Sequence, residues 1–185
     1  MKITTWNIRG FISPLKTCLL KRKIELEQPW VVFLQETKCS EQELRKVVKK
    51  AWPRCDLVAT DALGSAGGLG ILWNPRLVTF NNLRASVFSM TGILQILGTD
   101  LEILVTNVYG PSQPQRKQEF LETLGSIREE ETLLPWILGG DFNLMRNLEE
   151  KKGGLRRMTP WNHHFNQVIE DLSLVDVRTT NGLFT

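Results

Sequence analysis

The chain twice passes from an apolar extended segment through a helical segment into a second apolar extended segment. The first passage runs from Asn7 to Glu36 and the second from Tyr109 to Asp141, each over about 30 residues. A right-handed strand-helix-strand crossover needs about that length, and it makes its two strands parallel. The sequence therefore predicts an α/β fold that contains two parallel strand pairs.

Polar side chains stand where the apolar strands of both passages end. Asn7 and Glu36 close the strands of the first passage, and Tyr109 and Asp141 close those of the second. Parallel strands end at the same edge of a sheet, and open sheets carry their functional sites along that edge. We therefore expect these four side chains to converge.

Helical periodicity predicts four helices, which begin near Pro14, Ser40, Gln115 and Trp161. The second begins with a capping box, in which Ser40 and Glu43 satisfy each other's backbone amides. The apolar face predicted for the first helix comprises Leu15, Cys18, Leu19, Arg22 and Leu26.

Short extended runs separated by Gly, Asn and Pro fill the region from Arg54 to Gly110, which is typical of antiparallel sheet. The candidate strands are residues 56–60, 70–73, 78–81, 92–97 and 101–109. The glycines at 67, 68 and 70 lack the Gly-Lys-Ser/Thr ending of a phosphate-binding loop, so we interpret them as a turn before a strand.

The composition suits one packed domain over residues 1–185, with 42% hydrophobic and 23% charged residues. No apolar run approaches the roughly 20 residues that a membrane span needs. The first residues do not resemble a secretion signal, and three cysteines without paired spacing argue against a disulfide framework or a zinc site. We therefore expect an intracellular protein that is neither secreted nor bound to a membrane.

Carboxylate, amide and phenol oxygens without Cys or His form a set suited to Mg²⁺ or Mn²⁺. Magnesium often takes one or two carboxylates and completes its shell with water and substrate phosphate. Hydrolysis of a phosphate ester is therefore the leading hypothesis.

Each candidate also has a structural interpretation. Taken singly, Asn7 is typical of a strand end, Glu36 of a loop carboxylate paired with Lys38, and Tyr109 of a core ring with a bonded hydroxyl. The segment Gly139-Gly140-Asp141-Phe142-Asn143 is harder to explain in this way, because its glycines permit close backbone approach.

Four motifs in order carry a resemblance that covers essentially the whole chain. They are Thr5-Trp6-Asn7-Ile8-Arg9-Gly10, Gln35-Glu36-Thr37-Lys38, Asn107-Val108-Tyr109-Gly110-Pro111 and Gly139-Gly140-Asp141-Phe142-Asn143. The chain resembles the endonuclease/exonuclease/phosphatase superfamily. Residues 146–154, 166–177 and 182–185 favour the endonuclease domain of plant non-LTR (LINE-type) retrotransposons within it.

The resemblance implies a four-layer α/β sandwich, in which two mainly antiparallel β-sheets are flanked by helices, and a Mg²⁺-dependent cut in a DNA strand. By motif, Glu36 would bind the metal with help from Asn7. Tyr109 would contact the scissile phosphate, Asp141 would orient or deprotonate the attacking water, and Asn143 would hold that water or a phosphate oxygen.

The end of the sequence departs from the resemblance. Members of the superfamily continue with a Trp, a strand that carries an Asp and a terminal Ser-Asp-His, so we expect a sandwich that is incomplete at its C-terminus. His163 and His164 lie in the predicted last helix and are expected to be exposed rather than substitutes. An active but impaired nuclease and a catalytically inactive, nucleic-acid-binding remnant both stay open, and a small-substrate phosphatase ranks below them.

The resemblance also suggests partners and a location. DNA is the expected substrate, with a reverse-transcriptase region possible in the parent polyprotein and the nucleus as the expected compartment. The net charge of +3 names no partner by itself. The candidate phosphate contacts are Arg9, Lys38, Lys151 and Arg156.

Overall fold

The computed structural model of the protein describes residues 1–11, 13–62, 67–131, 133–150 and 157–177. The strands in these ranges are β1 (Ile3–Asn7), β2 (Val31–Gln35), β3 (Asp56–Ala59), β4 (Leu69–Trp73), β5 (Val78–Ala85), β6 (Ser89–Ile96), β7 (Glu102–Tyr109) and β8 (Trp136–Asp141). The helices are α1 (Pro14–Glu27), α2 (Glu41–Ala51), α3 (Lys117–Glu130) and α4 (Pro160–Asp171), with 3₁₀ turns at Pro114–Arg116 and Leu148–Glu150.

The chain forms two compact units. The first comprises Met1–Tyr109 and Leu134–Asp141, and it holds all eight strands with α1 and α2. The second comprises Gly110–Leu133 and Phe142–Thr185, and its described part holds α3 and α4. The first unit is therefore built from two separate stretches of sequence.

Two four-stranded sheets form the first unit, in the orders β1-β2-β4-β3 and β5-β6-β7-β8. The pairs β1-β2 and β7-β8 are parallel, and the other pairs in both sheets are antiparallel. Both predicted parallel pairs are therefore present, but they belong to different sheets.

The two sheets pack face to face through alternate side chains. Val31, Phe33 and Ile71 of the first sheet share one core cluster with Leu94 and Val105 of the second. The intervening β2 residues point the other way, toward the cluster under α1 and α2, so every residue of β2 is buried. The predicted α/β sandwich, with two mainly antiparallel sheets and helices, is confirmed.

The predicted capping box is present at the start of α2, where Ser40 and Glu43 exchange side-chain hydrogen bonds with each other's backbone amides. The prediction for the apolar face of α1 is wrong. Leu15, Leu19 and Leu26 of that face are 68%, 43% and 74% exposed. Leu20 is the buried residue of that helix, and Ile24, one turn later, packs with it.

Aromatic contacts organise the second unit. Phe142 lies 6.4 Å from Phe120 of α3 and 5.3 Å from Phe165 of α4, measured between ring centroids. His163 is exposed, as expected, whereas His164 is half-buried because its ring stacks on Trp161. Among the described residues, no helix is long and apolar enough to cross a membrane.

Candidate active site

The side-chain amide of Asn7 joins two carboxylates. Its Nδ2 donates to Glu36 Oε1 at 2.9 Å and to Asp141 Oδ2 at 2.7 Å. Asn7 is the last residue of β1, Asp141 is the last residue of β8, and Glu36 directly follows β2. Strand ends that lie far apart in the sequence therefore bring two acids to one point, as predicted.

The geometry differs from the prediction in one respect. The four residues were expected along the edge of an open sheet, but Asn7 and Glu36 come from the first sheet and Tyr109 and Asp141 from the second. β1 and β8 are outer strands of their own sheets, and the hydrogen bond from Asn7 to Asp141 links them. The candidate site is therefore shared by both layers of the sandwich.

Glu36 lies among hydrogen-bond donors. Burial opposes its ionisation, but hydrogen bonds from Asn7, Tyr109 and Lys38 outweigh that effect and lower the pKa of the Glu36 carboxyl below its usual value. Lys38 Nζ lies 3.3 Å from Glu36 Oε2. The ion pair between Glu36 and Lys38 is therefore present. Glu36 also accepts hydrogen bonds from Asn7 and Tyr109, which an ordinary surface ion pair does not have.

The tyrosine hydroxyl stays protonated in this environment. Burial, its hydrogen bond to Glu36 and the negative charges of Glu36 and Asp141 raise the pKa of Tyr109 to about 12, against a smaller opposite effect from Arg9. A protonated phenol at neutral pH can donate a hydrogen bond to an anion such as a phosphate oxygen.

The loops that carry the site adopt left-handed backbone conformations at non-glycine residues. Arg9, Glu36 and Lys38 have φ of 48°, 52° and 53°. Backbone hydrogen bonds hold the two loops together, because Gly10 N donates to Glu36 O at 2.6 Å. Such conformations cost free energy and persist where the surroundings enforce them, often at functional sites.

Two glycines near the site occupy positions that leave no room for a Cβ. Gly140 has φ of 144°, and a Cβ there would lie 2.0 Å from the Val108 carbonyl oxygen. Gly68 has φ of 86°, and a Cβ there would lie 2.2 Å from Thr37 Oγ1, next to Glu36. The turn predicted before β4 therefore also packs against the loop that carries Glu36.

A buried polar network lies directly behind the site. Gln35 Nε2 donates to Asn107 Oδ1 at 2.6 Å, and Asn107 Nδ2 donates to the carbonyl oxygens of Leu34 and Gly70 at 3.0 Å each. Asn107 is fully buried and belongs to the second sheet, whereas its partners belong to the first. It therefore fixes the strand of Tyr109 against the strand of Glu36.

The donor set suits a hard divalent cation. One oxygen of Glu36 and one oxygen of Asp141 lie within hydrogen-bond distance of the same amide nitrogen, and carboxylate oxygens are ligands that hard cations such as Mg²⁺ prefer. Within the described ranges, no group of three or more His, Cys, Asp and Glu residues is arranged to hold a metal. Two carboxylates, completed by water and substrate phosphate, are a ligand set that Mg²⁺ commonly takes.

The other predicted residues are placed as follows. Arg9 and Lys38 are exposed in the two site loops. Asn143 belongs to the second unit, where its Nδ2 donates to the Gly110 carbonyl at 2.7 Å, and its φ is 49°. Lys151 and Arg156 lie outside the described residues.

Sequence reasoning did not assign roles to Gln35, Asn107 or Lys16. Gln35 and Asn107 are polar residues inside otherwise apolar strands, and this signal could have marked them as a buried network. Lys16 gave no such signal, because its partners are backbone carbonyl groups.

Comparison with known proteins gives a family match over most of the chain. The family described as "Endonuclease/Exonuclease/phosphatase family" matches residues 4–170. No curated protein sequence matches the chain significantly.

Three solved structures illustrate the similarity of fold. The 3' phosphatase NExo from Neisseria, bound to a product DNA hairpin, superposes with a TM-score of 0.72 at 18% identity, over 93% of this chain and 71% of that one. The endonuclease domain of TRAS1, a telomere-specific non-LTR retrotransposon, gives 0.70 at 13% identity, over 92% and 71%. Humanized TDP2 from D. rerio gives 0.60 at 20% identity, over 77% and 66%, so this chain spans about two thirds of that protein's length.

Proposed function

Because the chain belongs to the endonuclease/exonuclease/phosphatase family, we propose that it is a metal-dependent phosphodiesterase that nicks DNA. The observation that carries the proposal is the Asn7 amide between the carboxylates of Glu36 and Asp141, with the Tyr109 hydroxyl bonded to Glu36. This arrangement combines a cation site, a carboxylate base and a neutral hydrogen-bond donor.

Glu36 would hold a divalent ion, Mg²⁺ or Mn²⁺, with help from Asn7. When bound, the ion would neutralise negative charge on the phosphate. The pKa of Glu36 is lowered, so its carboxylate is ionised at neutral pH and ready for a cation. Most catalysis of phosphoryl transfer comes from such positioning and charge stabilisation.

The remaining residues would act on the water and the phosphate. The Asp141 carboxylate would orient a water and take its proton as the water oxygen attacks phosphorus, the bond from phosphorus to the leaving strand end would break, and the leaving oxygen would take a proton from solvent water. The Tyr109 hydroxyl has a single proton, which it would turn from Glu36 to a non-bridging phosphate oxygen when the substrate binds. Asn143, two residues after Asp141 in the chain, would contact the water or a phosphate oxygen.

DNA is the proposed substrate, and the nicking of a retrotransposon target is the proposed role. Two similar folds support this choice, one from a structure with a DNA hairpin and one from a non-LTR retrotransposon. Arg9 and Lys38 are exposed cations beside the site and would contact phosphates of the strand. We further propose that the same polyprotein contains a reverse-transcriptase region and that the protein acts in the nucleus.

A second candidate is a chain with little or no activity. The sequence has two histidines, His163 and His164, and both belong to the second unit. The first unit, which carries Glu36 and Asp141, contains no histidine, and one proton-transfer group is typically worth about 10²–10⁴-fold in rate. We expect slow nicking for this reason.

Nicking of supercoiled plasmid by the purified chain tests the proposal. The reaction is followed with Mg²⁺, with Mn²⁺ and with EDTA, for the wild type and for Glu36→Gln and Asp141→Asn. Glu25→Gln is the matched control, because Glu25 is a carboxylate on α1 that pairs only loosely with Lys21, at 3.9 Å. Each site variant should lose about 100-fold or more of the metal-dependent rate, and the control should retain it.

The outcomes separate the candidates. Metal-dependent nicking that both site variants lose supports the nuclease. Nicking that the site variants retain reveals a contaminant and contradicts the proposal. No nicking, together with DNA binding, supports the inactive chain, and release of inorganic phosphate from sugar phosphates without nicking supports a phosphatase.

A further inference from the structure

The ammonium group of Lys16 is held by three consecutive backbone carbonyl groups. Its Nζ donates to the oxygens of Ile8, Arg9 and Gly10 at 2.7, 2.8 and 2.6 Å. An ammonium has three donors, so all of them are used in this carbonyl cradle, formed by residues 8–10. Lys16 therefore has no donor left for a substrate phosphate.

The carbonyl cradle belongs to the loop that orients Asn7. Arg9 N donates to Asn7 Oδ1 at 3.1 Å, which leaves Nδ2 of the same amide pointing to Glu36 and Asp141. The next amide, Gly10 N, donates to the Glu36 carbonyl oxygen at 2.6 Å. One short loop thus contacts the side chain of Asn7 and the backbone of Glu36.

The conformation of residues 8–10 requires a stabilising contact from outside the loop. Arg9 and Gly10 both have positive φ, at 48° and 88°, and three carbonyl oxygens that point to one place repel each other unless a cation lies between them. Lys16 supplies that cation from the first turn of α1, where Ser13 caps the helix. A positive charge is unfavourable at a helix N-terminus, so the helix itself gives no reason for a lysine at this position.

We propose that Lys16 is a positioning residue, whose ammonium fills the carbonyl cradle and so holds the Asn7 amide against Glu36 and Asp141. Its effect on catalysis rests on the proposed nuclease function, but its effect on the loop does not. The structure thereby assigns to α1 a part in building the site, although no side chain of the helix is among the candidate catalytic residues.

Two variants and a matched control test the role. Lys16→Met keeps the length of the side chain and removes its donors, and Lys16→Ala leaves a space that n-propylammonium matches in size and charge. Lys21→Ala is the control, because Lys21 is an exposed lysine on the same helix. The first readout is hydrogen exchange of the Gly10 amide together with the NMR signals of the Asn7 side-chain amide, in metal-free protein.

We expect Lys16→Met to accelerate exchange at Gly10 about tenfold or more and to shift the Asn7 signals, while Lys21→Ala changes neither. If the wild type nicks DNA, kcat should fall about 10- to 100-fold, as for other supporting residues of metal sites. KM for DNA should stay unchanged, because Lys16 has no donor for DNA. Millimolar n-propylammonium should restore Lys16→Ala and leave Lys21→Ala unaffected.

Several results would overturn the proposal. Unchanged hydrogen exchange at the Gly10 amide in Lys16→Met would show that Lys16 does not stabilise the loop, whatever the nicking rate. A rise in KM with constant kcat assigns Lys16 to DNA binding, and failure of both variants to fold assigns it to overall stability. A wild type that never nicks DNA refutes the proposed function, but the exchange measurement still decides the role of Lys16 in the loop.

Discussion

At the scale of single residues, Glu36 links the site to the pH dependence of folding. Its pKa is lowered from the ordinary value of 4.5 in the folded state, so its ionised form stabilises the fold. That stabilisation is present above the unfolded-state pKa and is lost as the pH falls through the folded-state pKa.

The free energy of unfolding should therefore fall more steeply in the wild type than in Glu36→Gln between about pH 5 and pH 3. Urea unfolding of both proteins across this range measures the difference. Parallel curves would show that the contacts of Glu36 do not favour its charged form.

Tyr109 offers a second test at this scale. Tyr109→Phe removes the hydroxyl that donates to Glu36, so the pKa of Glu36 should rise toward its ordinary value. Carbon NMR titration of the Glu36 carboxyl in the metal-free protein measures this shift. Because a hydrogen bond to a charged group is worth about 1.5–3 kcal/mol, the nicking rate should also fall by about 10- to 100-fold. An unchanged titration would contradict the assigned contact.

At the scale of secondary-structure elements, Asn107 ties the two sheets together. Asn107→Leu leaves the carbonyl oxygens of Leu34 and Gly70 without this donor, in a buried place where each unsatisfied group costs about 1–3 kcal/mol. We expect a loss of about 3 kcal/mol or more in the free energy of unfolding, measured with urea.

Thr91→Val is the matched control for Asn107→Leu. The Thr91 hydroxyl is also buried, but it bonds only Thr106 of the neighbouring strand in its own sheet, at 3.1 Å. Its loss should cost about 1 kcal/mol. Equal losses in the two variants would show that the hydrogen bonds between the sheets stabilise the protein no more than a hydrogen bond within one sheet does.

Two glycine substitutions should change stability in opposite directions, one through backbone strain and the other through helix propensity. Gly140→Ala places a Cβ against the Val108 backbone at a φ of 144°, and it should destabilise the protein by about 2 kcal/mol or more. Gly125 lies within α3 with no atom near its absent Cβ, so Gly125→Ala should instead stabilise the protein by about 0.5–1 kcal/mol. Thermal unfolding of both variants tests the opposite signs.

Elements with a local physical signal could be predicted from the sequence. The capping box at Ser40 and the ends of the two parallel strand pairs depend on residues near one another in the chain, and they were predicted correctly. The buried side of α1 could not be predicted, because that helix carries leucines on more than one side and the neighbouring elements decide which of them, Leu20, is covered.

The convergence of three candidate residues was also predictable from the sequence. Strand ends pointed to Asn7, Glu36 and Asp141, and the structure brings them together. The carbonyl cradle of Lys16 could not be predicted, because it depends on the φ angles of Arg9 and Gly10 rather than on side-chain types. The division of the site between two sheets depends on how the sheets pack, which periodicity does not encode.

At the scale of the whole molecule, the first unit is completed by β8, which follows a segment of the second unit in the sequence. β8 pairs with β7 and carries Asp141, yet residues 110–133 of the second unit lie between these strands in the sequence. A chain that ends at residue 133 therefore leaves β7 with an open edge, which favours aggregation.

Two shortened chains test this dependence. The chain 1–141 retains every residue of the first unit, and we expect it to unfold cooperatively in urea. The chain 1–133 differs only by the absence of Leu134–Asp141, and we expect it to be insoluble or to unfold without a cooperative transition. Equal behaviour of the two chains would show that β8 is dispensable for the first unit.

The long separation between Asn7 and Asp141 has a consequence for biosynthesis. The two residues are 134 positions apart, so Asn7 leaves the ribosome well before its partner is translated. Contacts so distant in the chain also form slowly, because much of the polypeptide must be ordered before they close. A nascent chain thus holds only one of the two acids until β8 has been translated, and the pair assembles only after the intervening residues have been made and folded.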